Sequence, residues 1–492
     1  MRVSSSLLFV ASLAAMYWLL VNVFDDRGSL IRLTLVTSVF VALITGLSQM
    51  LGWHVLPTAL GASSAFTTVG TLNVLGILAA VLLPMFSKYG SSAHIPSRVF
   101  GAVGVIVALA TLAILNWWVL WAVAVIGMLA LVALDSINAT QISQDYEGRS
   151  GRFSLSRFIV PISVIVLGAV LLLVNFNPVS IKKNIPIEVS PTQQLSWEIV
   201  GKVLKERVVF GYGPSMFPVA FDKFAAGQIT NPQFSSLRFF SGASEVATFA
   251  VETGGLGILA LVLFFWSVVQ TLVRFGASLS RATLRGASAT FAQESIGTMS
   301  SLVAMIGAMF LYPFNATLMF VLAVFLALAS LIIVGDKATT SDIEDKPAHA
   351  LGASLGFIMS LILVLVGLYT VTVRYMADVR YASGVRITDN PNKALETVAS
   401  AIALDANNPQ YLRDASLLSL NVLREELQKP VASADTETGK RIQNLIATAV
   451  QLAQQATTIA PLDTRNWVNL ATVYQSLVGA VDNVEAVGAD AL

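Results

Sequence analysis

Long stretches almost free of charge recur along most of this chain, near residues 5–24, 31–52, 69–87, 99–115, 117–134, 157–175, 246–272, 297–313, 316–334 and 351–373. Each approaches the roughly 20 residues that a helix rising about 1.5 Å per residue needs to cross about 30 Å of hydrocarbon. Inside lipid a backbone has no water to bond, so a crossing segment is a helix or part of a closed barrel. These runs lack the alternating pattern of barrel strands, which leaves helices. The expected fold is therefore all-α, a polytopic membrane bundle of about ten helices. Composition agrees, with 55% hydrophobic and 12% charged residues, where a soluble domain carries about 25% charged. The formal net charge of +1 gives no sign of a nucleic-acid partner. Without cysteine, and with only His54, His94 and His349 far apart in sequence, neither a disulfide nor a metal centre is expected. No cofactor is expected either.

The connectors divide into two sets. Those holding Arg27 and Arg32, Lys88 and Arg98, Arg149, Arg152 and Arg157, Arg274, Arg281 and Arg285, and Lys337 and Lys346 alternate with short ones free of Lys and Arg. The positive-inside rule puts the basic set in the cytoplasm. The N-terminus, the segment 176–245 and the tail then fall on the outer face of the membrane. The first run, behind Met1-Arg2, ends in "NVFDDRGS" without a small-residue cleavage site and reads as a first membrane helix. The expected domains are transmembrane helices over 1–175, an extracytoplasmic loop over 176–245, further transmembrane helices over 246–373, and a soluble domain over 390–492. That last domain resembles tetratricopeptide repeats: "WVNLATVY" sets Trp467, Leu470, Ala471 and Tyr474 at the spacing of such a repeat's first helix. Generic amphipathic helices are the plainer alternative.

The loop and the helix after it hold the informative residues. Apolar Leu195, Ile199, Val200, Val203 and Leu204 recur with helical period, which predicts an amphipathic helix on the membrane surface. "FGYGPSMF" breaks it with Gly211, Gly213 and Pro214. In order along the chain, "TVGTLNVLGILAA" (Gly70, Thr71, Asn73), "SWEIV…ERVVFGYGPSMF" (Trp197, Gly211, Gly213, Phe217) and "SEVATFAVETGGLG" (Glu252, Gly254, Gly257) resemble motifs of the O-antigen ligase and O-antigen polymerase superfamily. The resemblance covers roughly residues 65–260 and includes the family versions that carry a tetratricopeptide tail. It implies a glycosyltransferase of the C type, independent of metal. Such an enzyme moves a glycan from a polyprenyl-diphosphate carrier to a lipid, polysaccharide or protein acceptor at the outer leaflet. Its tail would then bind a protein partner.

Such chemistry needs cations for the diphosphate leaving group and a base for the acceptor hydroxyl. Where the family carries an Arg and a His, this chain has Gln193 and Ala243. The nearest substitutes, where the chain re-enters the membrane, are Glu245 as base and Arg238 as the phosphate-binding catalytic cation, with Ser244 beside them. Arg207, Tyr212, Gln193, Ser244 and Lys223 are named for substrate binding. Each has a second reading. Arg238 and Lys223 also fit as interfacial side chains reaching headgroups, Glu245 as a helix cap, and "ETGGLG" as a close helix contact. Family members often have about twelve membrane helices and repeat arrays need caps, so the chain is expected to be short at either end. Two rival readings are a membrane scaffold that has lost catalysis and presents the tail for docking, and, with less in its favour, a transporter.

Overall fold

The structure is a computed structural model, and it describes residues 7–23, 28–53, 66–145, 156–178, 188–225, 239–282, 289–334, 347–428 and 436–478. Every regular element of the described chain is a helix, apart from a single bridge between Thr67 and Gly70. It forms two compact units, one up to Val364 and one from Leu365 onward.

The first unit contains α1 (Leu7–Val23), α2 (Ser29–Met50), α3 (Leu72–Gly90), α4 (Ile95–Leu115), α5 (Trp118–Asp145) and α6 (Ser156–Leu173). It continues with α7 (Gln193–Glu206), α8 (Phe217–Ala225), α9 (Glu245–Ala282), α10 (Ala289–Leu311), α11 (Ala316–Val334) and the start of α12 (Pro347–Val385). Every apolar run of the sequence is helical. Among the described helices eight are long and apolar enough to cross a membrane, and α1 and α6 contribute shorter apolar stretches. That is the make-up of a multi-pass membrane protein.

Burial within the bundle follows from how apolar residues are distributed around each helix. In α3 they occupy every face, and Leu75, Ile77, Leu78, Ala79, Ala80, Val81, Leu82 and Leu83 are all fully buried among α2, α4, α5 and α10. At its start Thr71 caps the helix by accepting the Val74 N–H at 3.3 Å. By contrast α12 leaves Leu351, Leu355 and Leu361 exposed, as a lipid-facing helix does. Between α4 and α5 the chain turns on Asn116, whose left-handed φ of 34° suits an asparagine. Its amide donates to the carbonyls of Leu171 and Phe176 and accepts from the Trp121 indole, tying that corner to the end of α6.

The opposite end of α3 is charged and buried. Lys88 Nζ sits 2.5 and 2.6 Å from the two carboxylate oxygens of Asp135, both residues being under 9% exposed. Nearby, Arg32 of α2 meets Glu294 of α10 at 3.1 Å. Lipid gives helices little apolar reason to associate, and interhelical polar contacts, worth about 0.6–2 kcal/mol each, help hold them together.

The second unit holds the end of α12, then α13 (Pro391–Leu404), α14 (Pro409–Gln428), α15 (Thr436–Ile459) and α16 (Thr464–Ser476), and from α13 onward each packs against the next. Asn390 and Asp463 cap α13 and α16 by accepting the N–H groups of Lys393 and Arg465. Small Ala449 and Ala453 let α15 approach Leu420, Leu423, Leu470 and Val473 closely. Tyr411 donates to Asp378, and burial followed by that carboxylate pushes its hydroxyl well above the usual tyrosine value.

Candidate functional site

The segment 188–225 folds against the bundle. Thr192 caps α7, accepting the Leu195 N–H at 3.2 Å, and α7 then places Ile199, Val200 and Val203 on one buried face. That face packs on Phe217 and Phe221 of α8 and on Ala247, Ala250 and Val251 of α9. The apolar stripe is therefore taken up by protein rather than by the membrane surface the sequence led us to expect. The exposed apolar group lies one turn later, at Val208, Val209 and Phe210, while Trp197 is 46% exposed.

Helix α9 is broken at Gly254, whose φ of 64° and ψ of −152° lie outside helical space. The break frees backbone groups on both sides, and the 208–213 turn meets them. Tyr212 and Gly213 donate to the carbonyls of Val251 and Glu252 at 3.0 and 2.9 Å. The N–H groups of Gly255 and Leu256 donate to Val208 and Val209 at 2.7 and 3.2 Å. A membrane helix tolerates a break where neighbouring groups re-satisfy its backbone, as they do here. Gly211 and Gly254 make the approach possible. A Cβ on Gly254 would lie 2.4 Å from the Gly211 nitrogen, and one on Gly211 would lie 2.5 Å from the Val251 carbonyl oxygen. Glu252 is buried beside the break, and Gly257 follows one turn later.

Docking the turn gathers a basic group at the C-terminal end of α7. The Arg207 guanidinium lies 4.7 Å from the Tyr212 ring centre, and Lys223 Nζ lies 6.0 Å from it. Lys223 also pairs with Glu206 at 2.5 Å, and the Tyr212 hydroxyl donates to the same carboxylate at 3.2 Å. Lys202 donates to the Phe224 carbonyl at 3.1 Å, bringing a third cation to α8. The hydrogen bond from Lys223 holds the Glu206 carboxyl below its usual range, and the same bond raises Lys223.

A polar group forms at the other end of α7, about 20 Å away along a helix of this length. Here the Gln193 amide donates to the carbonyls of Ala243 and Leu311, both at 3.2 Å, and Ser196 Oγ accepts the Ala243 N–H at 2.9 Å. Ser244 caps α9 by accepting the Ala247 N–H. Glu245, 6% exposed, reaches across to accept the Phe314 N–H at 2.7 Å, while its own N–H donates to the Tyr312 carbonyl. It thus clamps the start of α9 to the α10–α11 connector. Replacing Glu245 by Ala should cost about 1–3 kcal/mol by removing that acceptor. E245Q, which keeps an acceptor oxygen, should unfold closer to wild type. Thermal unfolding of both in detergent checks this, and equal midpoints for wild type and E245A would contradict the clamp.

Beside this clamp the Tyr312 hydroxyl donates to Glu188 Oε1 at 2.7 Å and Thr71 Oγ1 donates to Oε2 at 3.0 Å. The Trp117 ring stands edge-on to Tyr312 with centres 5.8 Å apart.

The residues named from the sequence thus divide. Arg207, Tyr212 and Lys223 assemble at one end of α7; Gln193, Ser244 and Glu245 assemble at the other. Gln193 and Ala243, where the family carries its Arg and His, touch each other. Arg238 lies outside the described residues. Sequence reading missed Glu206, although it opens the "ERVVFGYGPSMF" stretch, and Glu188, because each gains its partners only through folding. Comparison with family models, curated proteins and solved structures returns no match to this chain.

Proposed function

We propose that this chain is an O-antigen-ligase-like glycan transferase working at the outer leaflet of a bacterial cytoplasmic membrane, which it spans about ten times. The docking of the 208–213 turn on the broken α9 carries this reading. It joins two of the three segments that resemble the family and aims Arg207, Tyr212 and Lys223 at one place.

In this reading the diphosphate of a polyprenyl-linked donor lies against Arg207 and Lys223. Lys223 exchanges Glu206 for a phosphate oxygen, and the released carboxylate regains basicity. The acceptor hydroxyl oxygen then bonds to the anomeric carbon as the carbon–oxygen bond to the diphosphate breaks. The electron pair leaves with the polyprenyl diphosphate, and the hydroxyl proton passes to Glu206. Helices α13 to α16 serve as tetratricopeptide-like pairs that hold a protein partner of the acceptor or of the export path. Transfer itself is the test: purified protein in vesicles, given lipid-linked glycan and acceptor, should join glycan to acceptor and release polyprenyl diphosphate. A failure to do so with every acceptor class would favour the scaffold reading, in which the compact second unit alone is functional.

The Glu206–Lys223 pair also has a pH signature. Because Glu206 is depressed, its contribution to stability is present above the ordinary carboxylate range and lost as pH falls through its folded value. Because Lys223 is raised, its contribution is present below the ordinary lysine value and lost as pH rises through its folded value. The gap in thermal midpoint between wild type and E206Q should therefore be open near about pH 7 and narrow as pH falls below the ordinary glutamate value of about 4.3. Both groups are exposed, so the gap is small. A gap that persists unchanged in acid would contradict the pair.

A further inference from the structure

We propose that Thr71, Glu188 and Tyr312, with Trp117 beside them, form a subsite for the hydroxyl groups of the glycan at a distance from the reacting sugar; this rests on the transfer reading. The cluster has the wrong charge for a diphosphate. Its one acidic or basic side chain is the exposed Glu188, and no described cation pairs with it. A carboxylate so placed repels phosphate and accepts hydrogen bonds from neutral hydroxyls.

It is also held in advance of any ligand. Tyr312, only 4% exposed, fixes one carboxylate oxygen, and Thr71, the cap of α3, fixes the other. Each oxygen keeps further acceptor capacity, since an ionised carboxylate accepts about four hydrogen bonds and these two donors take up about half. Tyr312 is itself fixed through its carbonyl, which accepts the Glu245 N–H, and through the edge contact with Trp117. Freezing the carboxylate beforehand spares the ligand that ordering cost. An aromatic body beside directional acceptors suits a sugar ring, which has apolar faces and a polar rim.

The position fits as well. The basic group lies one helix length away along α7, so a donor whose diphosphate rests at Arg207 reaches Glu188 only with a glycan of several sugars. The subsite therefore reads glycan length rather than the reacting bond.

Two measurements test this on the full chain in detergent. The first is fluorescence anisotropy of end-labelled, carrier-free glycan released from the lipid-linked pool of the source cells. Wild type should bind the long glycan, and E188A and Y312F should each bind about tenfold more weakly, as loss of an interaction worth about 1.4 kcal/mol implies. The second compares lipid-linked donors of one sugar and of several. E188A should raise KM about tenfold for the long donor and leave the one-sugar donor unchanged. Absence of long-glycan binding by wild type, equal binding by the variants, or equal KM changes for both donors would overturn the subsite. Transfer of the one-sugar donor by wild type and E188A alike keeps the transfer reading standing in that case, and its absence from both removes the transfer reading separately.

Discussion

Replacing Gly254 by alanine should abolish transfer and destabilise the first unit by about 3–5 kcal/mol. Two costs combine. The backbone at Gly254, with φ 64° and ψ −152°, is a conformation that only glycine adopts freely. The added methyl would also lie 2.4 Å from the Gly211 nitrogen and 2.8 Å from the Val209 carbonyl oxygen. Both are backbone atoms, which no rotamer change can move aside. Relieving the overlap means undocking the turn, which strands the carbonyls of Val251 and Glu252 at the break. Gly211, at φ 63° against the Val251 carbonyl, should behave likewise on G211A. Gly201, inside α7, has open space where its Cβ would stand, so G201A is the control and should be at least as stable as wild type. Thermal unfolding and transfer, measured together, separate these outcomes, and a G254A protein of wild-type stability would refute the docking.

The second large effect is chemical. Substituting Arg207 and Lys223 together by glutamine should lower the transfer rate by about 10²–10⁴-fold, since each charge-assisted bond to a phosphate is worth about 1.5–3 kcal/mol. Both side chains are exposed and neither anchors the core, so folding should survive. The single variants need not contribute equally. Arg207 offers a planar fork and rests on the Tyr212 ring, whereas K223Q also deprives Glu206 of its partner. In K223Q the carboxylate is left facing the phosphate, which adds repulsion to lost attraction. E206Q on that background should recover part of the lost donor affinity.

Much of the architecture was legible in the sequence because hydrocarbon leaves few options. A run such as 316–334, apolar at nearly every position, has no folded alternative to a helix, and it forms α11. The amphipathic period of Leu195 to Leu204 gave α7 with its buried face. What covers that face was not legible, because α8 and the start of α9 supply it from across the loop. The glycines of "FGYGP" and "ETGGLG" stood out as separate features. Their mutual contact runs through main-chain groups, which every residue has, so no side-chain pattern announced it. The same holds for Glu206, which finds Lys223 seventeen residues later through the turn and α8. Glu188 was hidden for another reason: its partners Thr71 and Tyr312 stand just beyond helix ends far away in the chain. Gln193, conspicuous as a departure from the family pattern, takes a role its amide suits, bridging two carbonyls at 3.2 Å.

The most direct measurement is to find where the carrier headgroup rests. A polyprenyl diphosphate bearing a diazirine beside its headgroup would be photolysed with the full chain in vesicles, and the labelled peptides read by mass spectrometry. The account predicts adducts within residues 202–224, suppressed by excess unlabelled carrier and lost in the Arg207, Lys223 double variant. Adducts confined to other parts of the chain, or labelling of 202–224 that survives the loss of both cations, would contradict it.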